Sequence, residues 1–264
     1  MINLTRLTTL ALALLTLSTP AHAQFTYVID DGSGGSAGPV PGTTGPFVWG
    51  NVFSVQGDYA VITSISVALG TGTNGFPAGQ SLDVLLYQDP TADGDPRDAV
   101  LLTCARTTTP ITGQSNAFTL VPITPTRVQG QFFAAARATL GTTRNYARTD
   151  PQSRGTGTWL FWGGAFDGTN LASSATAANY INLATVMVRA DATNVLPCLA
   201  DVAGPGQTIG PDGQTTADDI IVYLNWFFAG DQRANIAGPG QSGCPDADLT
   251  ADDIIVFLNR FFAC

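Results

Sequence analysis

ADVAGPGQTIGPDGQTTADDIIVYLNWFFAG (200–230) returns 34 residues later as ANIAGPGQSGCPDADLTADDIIVFLNRFFAC (234–264), with 20 of 31 positions identical. A repeat of this length is one supersecondary unit that cannot bury its apolar face alone and packs against its copy. Each copy runs from a loop rich in Gly, Pro and Asp into Thr-Ala-Asp-Asp and then a strongly apolar segment. Thr216 and Thr250 stand where an N-cap belongs, and Asp219 and Asp253, three residues on, complete the capping-box pattern. Carboxylates in the first turn also favour the helix dipole. The pattern therefore predicts helices over 217–229 and 251–263. Ile220, Leu224, Phe227 and Phe228 fall on one face, as do Ile254, Leu258, Phe261 and Phe262, and Gly230 is placed to stop the first helix.

Upstream of the repeat the pattern changes. From Gln24 to about Asn194 short β-like runs alternate with turns rich in Gly, Pro, Asp and Thr. The candidate strands are 25–30, 46–53, 60–69, 81–88, 99–104, 117–123, 130–137, 145–150, 158–163 and 180–190. In 60–69, Val61, Thr63, Ile65, Val67 and Leu69 make an apolar face opposite Ile62, Ser64, Ser66 and Ala68. About ten strands without a helical period predict a mostly β fold, a two-sheet, jelly-roll-like β-sandwich over 24–195 followed by a small all-α module over 196–264. Trp49, Trp159, Trp162, Phe161, Phe132 and Phe133 are the expected core aromatics.

Met1 to Ala23 reads as a secretory signal peptide: Arg6, an apolar stretch over 7–17, and Ala21-His22-Ala23 before Gln24. A secreted or cell-surface location is the expectation. Every acidic residue is Asp and every basic residue Arg, and the single His lies in that leader. A processed chain without His or Glu excludes Ser-His-Asp and Cys-His catalysis and His-ligated zinc. Residues 196–264 hold nine Asp against Arg233 and Arg260, a net of −7, whereas residues 1–195 carry about −2. An acidic tail with no basic patch argues against nucleic acid and for a metal cation. Cys198 and Cys264 bracket the repeat, so a bond between them would clasp its ends; Cys104 and Cys244 either pair across the two parts or stay free.

Three further features of the first part bear on function. Trp159, Trp162, Tyr146 and Tyr180 are candidates for a flat aromatic platform of the kind carbohydrates stack on, with core packing the competing role. The loop DPTADGDPRDA (89–99) holds Asp89, Asp93, Asp95 and Asp98, a second candidate calcium loop set against ordinary turn chemistry. Finally, a polysaccharide-cleaving enzyme would need two Asp carboxylates across a glycosidic bond. No nucleophile elbow, phosphate loop or metalloprotease helix is present to support another chemistry.

On its motifs, the segment 198–264 resembles a dockerin, the calcium-binding tandem module by which secreted proteins plug into cohesin domains. It is most similar to the Cys-bounded variety at the C-termini of exported bacterial proteins. The resemblance implies that each copy is the loop-helix half of an EF-hand, with calcium as cofactor. Counted back from the helix, Asp219 takes loop position 12, Thr216 position 9, Gln214 position 7 through its carbonyl and Asp212 position 5. The second copy offers Asp253, Thr250, Asp248 and Asp246, while Asp201 and Asn235 resemble position 1. Two departures stand out: seven extra residues separate position 1 from position 5, and position 3 falls on Ala203 and Ala237. The resemblance further implies a cohesin-type or envelope partner, with Trp226 a candidate interface anchor. Two alternatives remain open at this level: a glycoside hydrolase carrying a dockerin, and a structural protein held at the surface by a C-terminal sorting module.

Overall fold

The computed structural model describes residues 24–35, 45–70, 75–108, 117–140, 146–153, 157–163, 166–179, 184–194, 197–246 and 248–264. The leader at 1–23 and Tyr180 lie outside these residues. Among the described residues the chain is mostly β, with antiparallel sheets and two α-helices. In chain order the strands are β1 (Gln24–Tyr27), β2 (Gly45–Ser54), β3 (Ala60–Ala68), β4 (Ser81–Asp89), β5 (Val100–Thr108), β6 (Phe118–Val128) and β7 (Gln131–Leu140). There follow β8 (Thr149–Asp150), β9 (Thr158–Trp162), β10 (Thr176–Asn179), β11 (Thr185–Val186), β12 (Val188–Thr193), β13 (Ala203–Gly204) and β14 (Thr208–Ile209). Helices α1 (Ala217–Phe228) and α2 (Ala251–Ala263) close the chain.

A four-stranded sheet in the order β1-β12-β3-β6 and a six-stranded sheet in the order β10-β9-β2-β7-β4-β5 share one apolar core. Ile62, Ile65, Val67, Val121 and Val188 enter it from the smaller sheet, and Phe47, Trp49, Val84, Leu86 and Phe132 from the larger. The six-stranded sheet also buries its other face. Val48, Leu85, Tyr87, Phe133, Trp159 and Phe161 form a second core with Ala99, Phe166 and Leu171, which come from the segments after β4 and β9. That double burial explains why β7 reads Phe-Phe-Ala-Ala-Ala without alternation: Phe132, Ala134 and Ala136 serve one core, Phe133 and Ala135 the other.

Strand β3 departs from the simple alternation expected of it. In its pairing with β12 the register shifts between Asp191 and Ala192, which face Ser64 and Ile62, so Thr63 is the extra residue. Such a bulge moves the side chains before it to the opposite phase. Ala60 and Ile62 therefore share the core with Ile65 and Val67, and the continuous face 61/63/65/67/69 does not form.

One polar group ties the sheets together inside this core. Asn51 on β2 is fully buried and donates both Nδ2 hydrogens, to the carbonyls of Val186 (2.8 Å) and Val188 (2.9 Å), while its Oδ1 accepts from the Thr158 hydroxyl at 2.7 Å. Asn51→Ala strands two carbonyls and a hydroxyl, and should cost about 2–4 kcal/mol in urea unfolding. A second buried polar group, Asp150, holds the N-terminal segment: it accepts N–H bonds from Asp31 (2.8 Å), Gln152 (2.9 Å) and Ser153 (3.1 Å). Burial alone would push its carboxyl up, but the Ser153 hydroxyl and these amides outweigh it and hold the carboxyl at about 2. Because the folded value lies below the ordinary 3.8, Asp150 contributes its full stability above that pH and loses it as pH falls towards 2. Acid unfolding followed by circular dichroism should therefore show a limb in that window which Asp150→Asn removes.

Candidate functional site

The duplicated segment folds as two equivalent loop-helix units packed on a small core. Tyr223 of α1 and Phe257 of α2 stack face to face at its centre, with ring centroids 3.8 Å apart and planes 7° apart. The Tyr223 hydroxyl, whose ionisation burial pushes up, donates to the carbonyl of Ala234 at 3.0 Å. Ile220, Leu224 and Phe227 and their counterparts Ile254, Leu258 and Phe261 pack around the pair. Phe228 and Phe262, read from helical spacing as part of the same faces, point outward instead, each 79% exposed. The reason is angular: once Tyr223 and Phe257 define the contact, the last aromatic of each helix lies too far round to reach it.

Each helix consequently carries an outer stripe of the same three residues. Ile221, Asn225 and Phe228 on α1, and Ile255, Asn259 and Phe262 on α2, are exposed at i, i+4 and i+7. Trp226, the candidate anchor, is instead half-buried against the module core, with the Arg233 guanidinium 4.5 Å above its ring.

Each predicted ligand residue has a definite place. Thr216 and Thr250 are the helix N-caps, accepting N–H bonds from Asp218 (3.2 Å) and Asp252 (3.3 Å). Asp219 and Asp253 are fully buried, and their oxygens accept backbone N–H bonds from the loop and from the cap residue. For Asp219, burial raises the carboxyl, and the amides of Thr216, Ala203 and Val202 more than offset that, leaving it below the usual range. Asp201 accepts from the amides of Asp212 (3.0 Å) and Gly213 (2.6 Å). Its counterpart Asn235 donates to the carbonyl of Asp246 at 2.6 Å, because an amide brings a donor where the carboxylate has only acceptors. Asp212 and Asp246 accept from the amides of Gln214 (2.9 Å) and Asp248 (2.8 Å), and Gln214 and Asp248 are themselves exposed.

Among the described residues one set of three acidic side chains brings ligand oxygens within 4.8 Å of one another: Asp89, Asp93 and Asp98. Asp95, the fourth residue read into that loop, turns away to cap the short helix Pro96–Asp98 and pairs with Arg97. The three converging residues are engaged in the turn. Asp89 accepts from the amides of Thr91 (3.0 Å) and Ala92 (2.8 Å), and the Thr91 hydroxyl sits 3.0 Å from Asp98.

The aromatic platform does not assemble among the described residues. Trp159 and Trp162 belong to opposite faces of β9, three residues apart: Trp159 is buried beside Phe161 in the outer core and donates to the carbonyl of Gly94 at 3.1 Å. Trp162 packs on the core between the sheets, where Tyr146 is also buried.

All four cysteines are bonded: Cys198 to Cys264, with Cα atoms 5.6 Å apart, and Cys104 to Cys244, at 4.8 Å. The second bond joins the module to edge strand β5. There the Thr103 hydroxyl donates to the carbonyl of Gly243 at 2.8 Å, and a Cβ at position 243 would lie 2.2 Å from the Leu102 oxygen, so only Gly fits. A cavity of about 780 Å³ lies beside this seam, lined by Asp83, Arg106, Arg137, Asn235 and Asp246 among others. Asp83 bridges Arg106 and Arg137 at 2.6 Å each; burial raises its carboxyl, but the two guanidiniums together bring it below the usual range.

No protein-family model and no curated protein matches the chain. Two solved structures align with it, both of the clostridial cysteine protease Cwp84. One is the enzyme after propeptide cleavage, 12% identical, covering 65% of this chain and 40% of that one at a TM-score of 0.37. The other comprises the cysteine protease and lectin-like domains of this surface-layer-associated protein of Clostridium difficile, 12% identical, covering 57% of this chain and 32% of that one at 0.32. At these scores neither carries an argument about function. No helix among the described residues is long and apolar enough to cross a membrane.

The stacked pair gives a direct test of how the module is held. Tyr223→Ala should cost about 3–5 kcal/mol, the usual loss for a buried aromatic. Tyr223→Phe should cost about 1 kcal/mol, for the bond to Ala234 alone. Thermal unfolding followed at 222 nm measures both.

Proposed function

We propose that this chain is an exported, non-catalytic protein in which a dockerin-like module docks to a cohesin-type or envelope partner and so displays a jelly-roll-like β-sandwich. The observation that carries the reading is the matched outer stripe, Ile221-Asn225-Phe228 and Ile255-Asn259-Phe262. Two isolated exposed phenylalanines would be unremarkable, but the same three residues at i, i+4 and i+7 on both helices make a helix face suited to a partner's groove. Export is supported by the pairing of all four cysteines, which belongs to an oxidising compartment. The bond between Cys198 and Cys264 favours docking over attachment through a C-terminal thiol. A non-catalytic role is supported by the composition, which has no Glu and one His at position 22.

Biolayer interferometry of the full chain against a panel of recombinant cohesin domains tests this. Binding to at least one member is expected, and Phe228→Asp combined with Phe262→Asp should weaken it by about 30-fold or more, as for interface hot spots. No binding across the panel, or binding indifferent to the double substitution, would overturn the reading.

A further inference from the structure

The Thr-Ala-Asp-Asp segments do more than cap helices. In the first copy Asp219 Oδ1 accepts the amides of Val202 (2.7 Å) and Ala203 (2.8 Å), and Oδ2 accepts that of Thr216 (2.7 Å). In the second, Asp253 Oδ1 accepts Ile236 (2.7 Å) and Ala237 (2.9 Å), and Oδ2 accepts Thr250 (2.8 Å). The preceding residues reach the same loops: Asp218 accepts the amide of Gly206 and Asp252 that of Gly240, both at 3.0 Å. At those points both loops turn through left-handed backbone, Gly206-Gln207 in one copy and Gly240-Gln241 in the other.

This arrangement does not fit the calcium loop that the resemblance implies. Calcium takes six to eight oxygens, with a bidentate carboxylate at the end of the loop. A carboxylate offers about four lone-pair sites, two on each oxygen. Oδ1 of Asp219 and of Asp253 has spent both on loop amides, so neither group has a bidentate grip left to give. Position 3 is Ala203 or Ala237, each of which supplies a donor to that carboxylate where an EF-hand needs an acceptor. At position 1 Asp201 holds two amides, while Asn235 turns its Nδ2 to a carbonyl and leaves its buried Oδ1 unpartnered, a single acceptor against the six to eight oxygens calcium takes. Of the other carboxylates read as ligands, Asp212, Asp246 and Asp248 are exposed, and among the described residues no three acidic groups of the module bring oxygens within 4.8 Å of one another.

We infer that each loop is closed by a buried carboxylate gathering backbone N–H groups, in the place where a calcium ion would gather carboxylates, so that the module folds without a divalent cation. The polarity of the loop is inverted, with donors facing an anion supplied by the helix. The insertion between positions 1 and 5 supplies the extra chain that lets the loop fold back over Asp219 and Asp253. This inference is independent of what the module docks to.

Hydrogen exchange of the full oxidised chain, read by mass spectrometry in EDTA and in saturating calcium chloride, tests it. Peptides covering 200–219 and 234–253 should exchange identically in the two buffers. Protection in those segments that rises with calcium and saturates would overturn the inference; calcium bound at Asp89, Asp93 and Asp98 would not register there. Asp219→Asn and Asp253→Asn should each speed exchange in their own segment about tenfold or more in both buffers. Unchanged exchange in either variant would also overturn it, and if a variant fails to fold, the two-buffer comparison of the unmodified chain still decides.

Discussion

The structure depends on a six-stranded sheet that is dry on both faces. One face meets the four-stranded sheet across Phe47, Trp49 and Phe132, and the other is covered by the chain after β4 and after β9. That demand shapes the rest of the first part. Strand β7 must be apolar at successive residues, and the segments over the outer face must bring Ala99, Phe166 and Leu171 down onto it. Asn51 is admitted to the interior because each of its hydrogen-bonding groups is satisfied there.

The edge of that sheet also positions the C-terminal module. The second repeat meets Thr103 and Cys104 of strand β5 with Gly243 and Cys244. Cys244 occupies the place of Gly210 in the first repeat, so the duplication has diverged where one copy touches the sheet. Two covalent seams follow, one clasping the module's ends and one tying it to the strand. The outer stripes of α1 and α2 belong to a body whose position relative to the sheets is restrained.

Much of the module is legible in its sequence. Capping boxes depend on residues three apart, so Thr216 with Asp219 and Thr250 with Asp253 mark both helix starts from local chemistry. The strand pattern was readable wherever one face is polar, but it failed at Thr63, because the bulge there against β12 costs one residue of phase and leaves no composition signal. The short strand β10 was missed for a related reason: a run such as Thr-Ala-Ala-Asn carries no alternation. The aromatic platform failed because the spacing of Trp159 and Trp162 on one strand sends them to opposite faces of a sheet buried on both sides. A sequence shows the spacing but not that both faces are covered.

By itself the sequence determined the mostly β character of the first part, the duplication and the two helix starts. Those properties rest on residue type and on neighbours a few positions apart, where local sterics and capping decide. The tertiary structure alone decided that Cys104 bonds to Cys244, that Phe228 and Phe262 face outward while Trp226 is half-buried, and that Asp219 and Asp253 turn to backbone amides. Each of these depends on which distant segment occupies the neighbouring space. A carboxylate at a loop's end has the same sequence whether it meets a cation or an amide, and only the fold of the loop around it makes the choice.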